Sequence, residues 1–132
     1  MQGTSDFLKR RAKEFWQRAQ EDFEKHRFNL SALDLEQAVQ LWMKHLIFVK
    51  ADDFPKMHYL NRLIEELSIV YDNQDILNFY HSHSLEFRSL EDAYITTRYF
   101  EREFTKEEVE SLKEFTASLI KFLEKQTGEK FI

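Results

Sequence analysis

Apolar positions recur at intervals of three and four along most of the chain, the period of an amphipathic helix. The densest run covers residues 30–50. Leu35, Ala38, Val39, Trp42, Leu46 and Val49 form one wide stripe there, with Met43 and Ile47 at its edge, and Leu41 and Phe48 form a second, narrower one. A helix that is apolar on two sides needs cover on two sides, so this segment is expected at the centre of a bundle. Gln37, Gln40 and Lys44 sit between the stripes, close together on the surface. Ser31 and Asp34 resemble a capping box at the start of the helix. Asp52, Asp53 and Pro55 end it.

The same period predicts the flanking elements. A first helix over about residues 5–25 carries Leu8, Ala12, Phe15, Trp16, Ala19 and Phe23 on one stripe. A third, over 56–71, opens at His58 and turns Leu60, Leu63, Ile64, Leu67 and Tyr71 inward. Residues 72–74 break the pattern, and Asp75 is the expected cap of the next segment. Residues 76–104 read as helix, either continuous or bent at Ser82 and Ser84. In the last helix Thr105 and Glu108 form a capping box, Val109, Leu112, Phe115, Leu119, Phe122 and Leu123 form the stripe, and Gly128 is the stop. The expected fold is an all-α, up-and-down bundle of about five helices, one domain over residues 1–132, with neighbours mostly antiparallel.

Composition supports this picture. With only two glycines and one proline the chain is poor in turn residues, which favours long helices over sheet, while thirteen phenylalanines supply large packing groups. The absence of cysteine excludes disulfide and thiol chemistry. A net charge of −5 disfavours indiscriminate nucleic-acid binding, and no DNA partner is expected. The polar N-terminus and short apolar runs lead us to expect a soluble cytoplasmic protein with no membrane contact.

The candidate chemistry is sparse. His81 and His83 are two apart and point to different sides of a helix, and no histidine has a zinc-type partner, so no metal and no cofactor is expected. There is no Gly-rich phosphate loop, and no catalytic residue can be assigned. Lys9, Arg10, Arg11 and Lys13 could attract phosphate or simply face solvent, balanced by nearby acids. Two clusters remain. Gln37, Gln40 and Lys44 offer amide donors and one cation, suited to a phosphate or a base edge. Thr96, Thr97, Arg98, Tyr99 and Arg102 offer hydroxyls, guanidinium forks and a stacking ring. The plainer alternative for the second cluster is that Tyr94 and Tyr99 are packing aromatics and Arg98 pairs with a carboxylate such as Glu36 or Glu91.

The order Glu36-Gln37-Ala38-Val39, Lys44, His58, Leu63–Leu67, Tyr94-Ile95-Thr96-Thr97-Arg98-Tyr99 and a capped last helix resembles the HEPN family of small prokaryotic helical domains, over about residues 6–126. The resemblance implies a homodimeric bundle with a nucleotide- or RNA-related function, often paired with a minimal nucleotidyltransferase as a toxin–antitoxin pair. Two positions depart from the family pattern: Phe100 stands where proline commonly follows the Arg-Tyr pair, and Gln40 where an acidic residue often ends the Gln-Ala motif. The nuclease branch carries an arginine followed four to six residues later by histidine, and no arginine here has that partner; Arg18 to His26 is too long. The expectation is therefore a non-catalytic domain binding a nucleotide or a nucleotidyltransferase, with Gln37, Gln40, Lys44, Arg98, Tyr99 and Arg102 as the nucleotide site. The alternatives are an antitoxin-type interaction subunit without a small ligand, and a diverged RNase.

Overall fold

A computed structural model describes residues 2–131, and they form six helices. These are α1 (Gln2–Glu24), α2 (Phe28–Ala51), α3 (Leu60–Val70), α4 (Gln74–Ser82), α5 (Ser84–Tyr99) and α6 (Lys106–Thr127). The sixth helix arises because 76–104 is not continuous. His83 leaves helical geometry at φ −125° and ψ 28°, and its ring stacks on Phe79 at 4.1 Å. Phe79 also stacks on Phe122 of α6 at 4.2 Å, so the break lets α4 and α6 share an aromatic layer.

The centre is α2, as its two-sided pattern requires. Leu35, Ala38, Val39, Trp42, Met43, Leu46 and Ile47 are fully buried, whereas Val49 is 38% exposed and drops out of the stripe. Phe131, beyond α6, closes the core with its ring edge-on to Trp42 at 5.0 Å. The second stripe is covered within the chain: Leu41 packs against the core, and Phe48 lies 6.2 Å from Phe54 in the segment that follows α2.

Helix directions follow from who meets whom. Ala19 faces Ser31 and Arg18 faces Asp34, so α1 and α2 are antiparallel. Asn29 meets Thr97 while Glu36 lies within electrostatic reach of Glu91, so α5 also runs antiparallel to α2. Asn29 further holds the connection after α5, donating from Nδ2 to the Arg102 carbonyl (2.9 Å) and accepting from the Phe104 amide at Oδ1 (2.7 Å).

Three helix starts differ from the sequence expectation. α2 begins at Phe28, so Ser31 and Asp34 lie inside it and cap nothing. Instead Ser31 Oγ donates to the Ala19 carbonyl at 2.7 Å, and Asp34 Oδ1 accepts from Nε and Nη2 of Arg18 at 3.1 and 2.8 Å. Burial, with nearby Asp22, pushes the Asp34 carboxyl up to about 7 against the opposing pull of Arg18. α3 begins at Leu60 rather than Lys56, because the Glu91 carboxylate of α5 accepts the Leu60 amide at 2.6 Å and leaves His58 in the extended connection. α4 is capped by Asn73 rather than Asp75; Asn73 Oδ1 accepts from the Asp75 amide at 2.9 Å. The capping box of Thr105 and Glu108 and the left-handed stop at Gly128 (φ 79°) are as expected from sequence.

Candidate functional site

Along one side of α2, Glu36, Gln40 and Lys44 follow each other at four-residue spacing, one above the next. This column is not surface. Glu36 is 0%, Gln40 4% and Lys44 5% exposed, because the 52–59 segment and α5 lie over it. The polar groups satisfy one another in series. Glu36 accepts from Gln37 Nε2 at 2.7 Å and from Gln40 Nε2 at 3.0 Å. The freed carbonyl of Gln40, Oε1, accepts from Lys44 Nζ at 3.3 Å and faces His58 Nδ1 at 3.0 Å. An oxygen acceptor there fixes Nδ1 as the protonated nitrogen in neutral His58, leaving Nε2 as an acceptor on the other side of the ring.

Both charged ends of the column are under electrostatic stress. Burial pushes the Glu36 carboxyl up to about 7, and Glu91 adds to this while the amides of Gln40 and Gln37 oppose it. Burial also lowers the Lys44 ammonium, partly countered by Glu36 and reinforced by Lys56. Lys44 and Lys56 both approach the Phe54 ring, at 5.9 and 4.4 Å from its centroid. A buried ammonium with a second cation beside it gains from a ligand that brings negative charge.

From His58 the site continues outward. The His58 ring stacks on Tyr94 of α5 with centroids 6.1 Å apart, and the Arg98 guanidinium lies 4.6 Å from the Tyr94 centroid. Beside this stack opens a cavity of about 380 Å³, lined by Met57, His58, Tyr59, Glu91, Asp92, Tyr94 and Ile95. The result is a basic, hydrogen-bonded end at Lys44, Lys56 and Gln40, and an aromatic end with two carboxylates at its rim.

Five of the six residues singled out from sequence map onto this region. Gln40 and Lys44 are bonded to each other, and Gln37 joins them through Glu36. Arg98 joins through the rings of Tyr94 and His58, with Tyr99 beside it at 5.5 Å and mostly solvent-exposed. Among the described residues Arg98 makes no ion pair with Glu36 or Glu91, the first satisfied by amides and the second by the Leu60 backbone. Arg102 lies elsewhere. Its guanidinium pairs with Glu108, and its carbonyl is bound to Asn29, eleven residues before Gln40 and so about 16 Å along the α2 axis. The residues missing from that selection are Glu36, Phe54, Lys56, His58, Glu91, Asp92 and Tyr94. For Glu36 the four-residue register with Gln40 and Lys44 was the available signal. His58 and Tyr94 stood in the recognised motif without a role. Phe54, Lys56, Glu91 and Asp92 had no local signal.

No three histidine or acidic side chains converge as metal ligands among the described residues, and no helix there is long and apolar enough to cross a membrane. A family model for the HEPN domain matches residues 5–126, nearly the whole chain. The chain belongs to the HEPN family. No curated protein and no solved structure gives a significant match. Within this HEPN chain the polar column of α2 and the Tyr94–Tyr99 stretch of α5, far apart in sequence, are linked through His58, which contacts both Gln40 and Tyr94.

Proposed function

We propose that this HEPN protein binds a nucleotide in the cleft between α2, residues 52–59 and α5, and performs no reaction on it. The observation that carries the reading is the buried Lys44. It has only the Gln40 carbonyl as a hydrogen-bond partner among the described residues, and a second cation, Lys56, stands near it. A phosphate at this end would offset the repulsion, and the Tyr94 and His58 rings offer a stacking surface for a base. Family membership supports the setting: a homodimer working beside a minimal nucleotidyltransferase, in the manner of a toxin–antitoxin pair.

The test is isothermal titration of nucleoside monophosphates into wild type and Arg98→Ala. Arg98 is exposed and its contacts are to the side chains of Tyr94 and Tyr99 on its own helix, so the variant should keep its melting temperature. Loss of a charged contact to phosphate should weaken binding by roughly 1.5–3 kcal/mol. Earlier melting with unchanged affinity would make Arg98 structural, and absence of binding to wild type would overturn the reading.

A second reading, an antitoxin-type interaction subunit without a small ligand, draws on a different observation. Ile95, Tyr99 and Phe100 on and after α5 are 46%, 69% and 64% exposed, and Tyr59 beside the cleft is 62% exposed. Apolar side chains grouped in this way suit a protein partner or a second copy.

A further inference from the structure

The aromatic end of the cleft has a chemical character that the phosphate end does not share. Its rim carries Glu91 and Asp92, and ionised carboxylates accept hydrogen bonds but cannot donate them. The two differ in availability. Glu91 gives Oε1 to the Leu60 amide and thereby holds the start of α3. Asp92 is exposed and makes no hydrogen bond or ion pair among the described residues. A base entering beside Tyr94 would therefore meet a carboxylate with both oxygens open.

Natural bases answer that carboxylate differently. Uracil presents one ring N–H between two carbonyl oxygens that a carboxylate repels. Adenine and cytosine present an exocyclic amine next to a bare ring nitrogen, which a second carboxylate oxygen also repels. Guanine alone presents two parallel donors, the N1–H and the 2-amino group, at the spacing of two carboxylate oxygens. This is the same fork-to-fork match that makes arginine–carboxylate pairs specific. Met57, Tyr59 and Ile95 supply the flat apolar walls a purine needs, and the cavity of about 380 Å³ admits its two rings.

We infer that the pocket selects a guanine base, read by the Asp92 carboxylate and stacked at Tyr94. The inference rests on the nucleotide binding proposed above and names the class of nucleotide. Recognition then divides between two ends. Lys44, Lys56 and Arg98 engage phosphate and are indifferent to the base, whereas Asp92 touches only the base and contributes discrimination rather than general affinity.

Titration calorimetry of the full chain with GMP, IMP, AMP and UMP tests this. GMP should bind about tenfold or more tighter than AMP and UMP, the discrimination one bidentate pair supplies. IMP, which keeps N1–H and lacks the 2-amino group, should fall between. In Asp92→Asn the GMP preference should vanish, GMP binding weakening while AMP, no longer facing a repelling carboxylate oxygen, binds as well as or better than before, and melting should confirm that this surface variant is folded. Equal affinity for all four nucleotides would overturn guanine selection and leave the nucleotide site standing. A GMP preference that survives in Asp92→Asn would overturn the assignment to Asp92. Absence of binding by every nucleotide would remove the site itself and this inference with it.

Discussion

Replacing Glu36 with Gln should flatten part of the dependence of stability on pH. The carboxyl is fully buried and pushed up to about 7 from an ordinary 4.5, chiefly by loss of water. Between those values the native chain keeps a proton that the unfolded chain has released. Stability from this group is therefore full below about pH 4.5, falls as pH rises to about 7, and is constant above that. At 1.36 kcal/mol per pH unit, the interval corresponds to about 3 kcal/mol. Glutamine has nearly the same shape and no charge. It meets the donors of Gln37 and Gln40 less well, a cost that is largely the same at both ends of the pH range. Urea unfolding of both proteins at pH 5 and pH 8 separates the two effects. The stability of Glu36→Gln relative to wild type should improve by about 2–3 kcal/mol on going from pH 5 to pH 8, slightly less than the full interval because the unfolded carboxyl is already mostly ionised at pH 5, other titrating groups cancelling in the comparison. A difference that stays constant across the range would refute the reasoning and mean that Glu36 reaches solvent or a cation well enough to ionise normally.

Three further outcomes are expected. Asn29→Ala removes both hydrogen bonds that hold the 100–104 connection and should cost about 1–3 kcal/mol in urea unfolding; no loss would mean the connection is held by Phe104 packing alone. The purified protein should leave single-stranded RNA intact in a gel assay. His58 and Arg98 both contact the Tyr94 ring, so cleavage that disappears in His58→Ala would show that a spatial pair replaces the missing linear motif. Sedimentation at micromolar concentration should give twice 16.1 kDa if Ile95, Tyr99 and Phe100 pack against a second copy, and a monomer mass would speak against the dimer.

The helices were legible because their signals are local. The α6 boundaries rest on Thr105, Glu108 and Gly128, all within a turn of the ends they set. The failures were non-local. Ser31 and Asp34 spell a cap in sequence, yet α1 takes both side chains for the helix interface. The acceptor for the first amide of α3 is Glu91, thirty-one positions away from Leu60. The candidate site was legible for the same reason and to the same degree. Gln37, Gln40 and Lys44 share a helix and could be grouped by register, but their spacing gave no hint of depth. Only the path of residues 52–59 and the placement of α5 turn this polar face into a buried one, and neither is encoded within α2.

The bond from Glu91 to the Leu60 amide also has a kinetic meaning. The first amides of a helix have no acceptor in the helix's own ladder and ordinarily trade hydrogen with water quickly. The Leu60 amide is held by a side chain of α5, so its proton is released only when the two helices part or the carboxylate swings away. Deuterium uptake at this one position thus times the opening of the cleft wall rather than the fraying of α3. An occupant of the pocket that pins Glu91 in place should slow that exchange, and one that draws the carboxylate toward itself should quicken it.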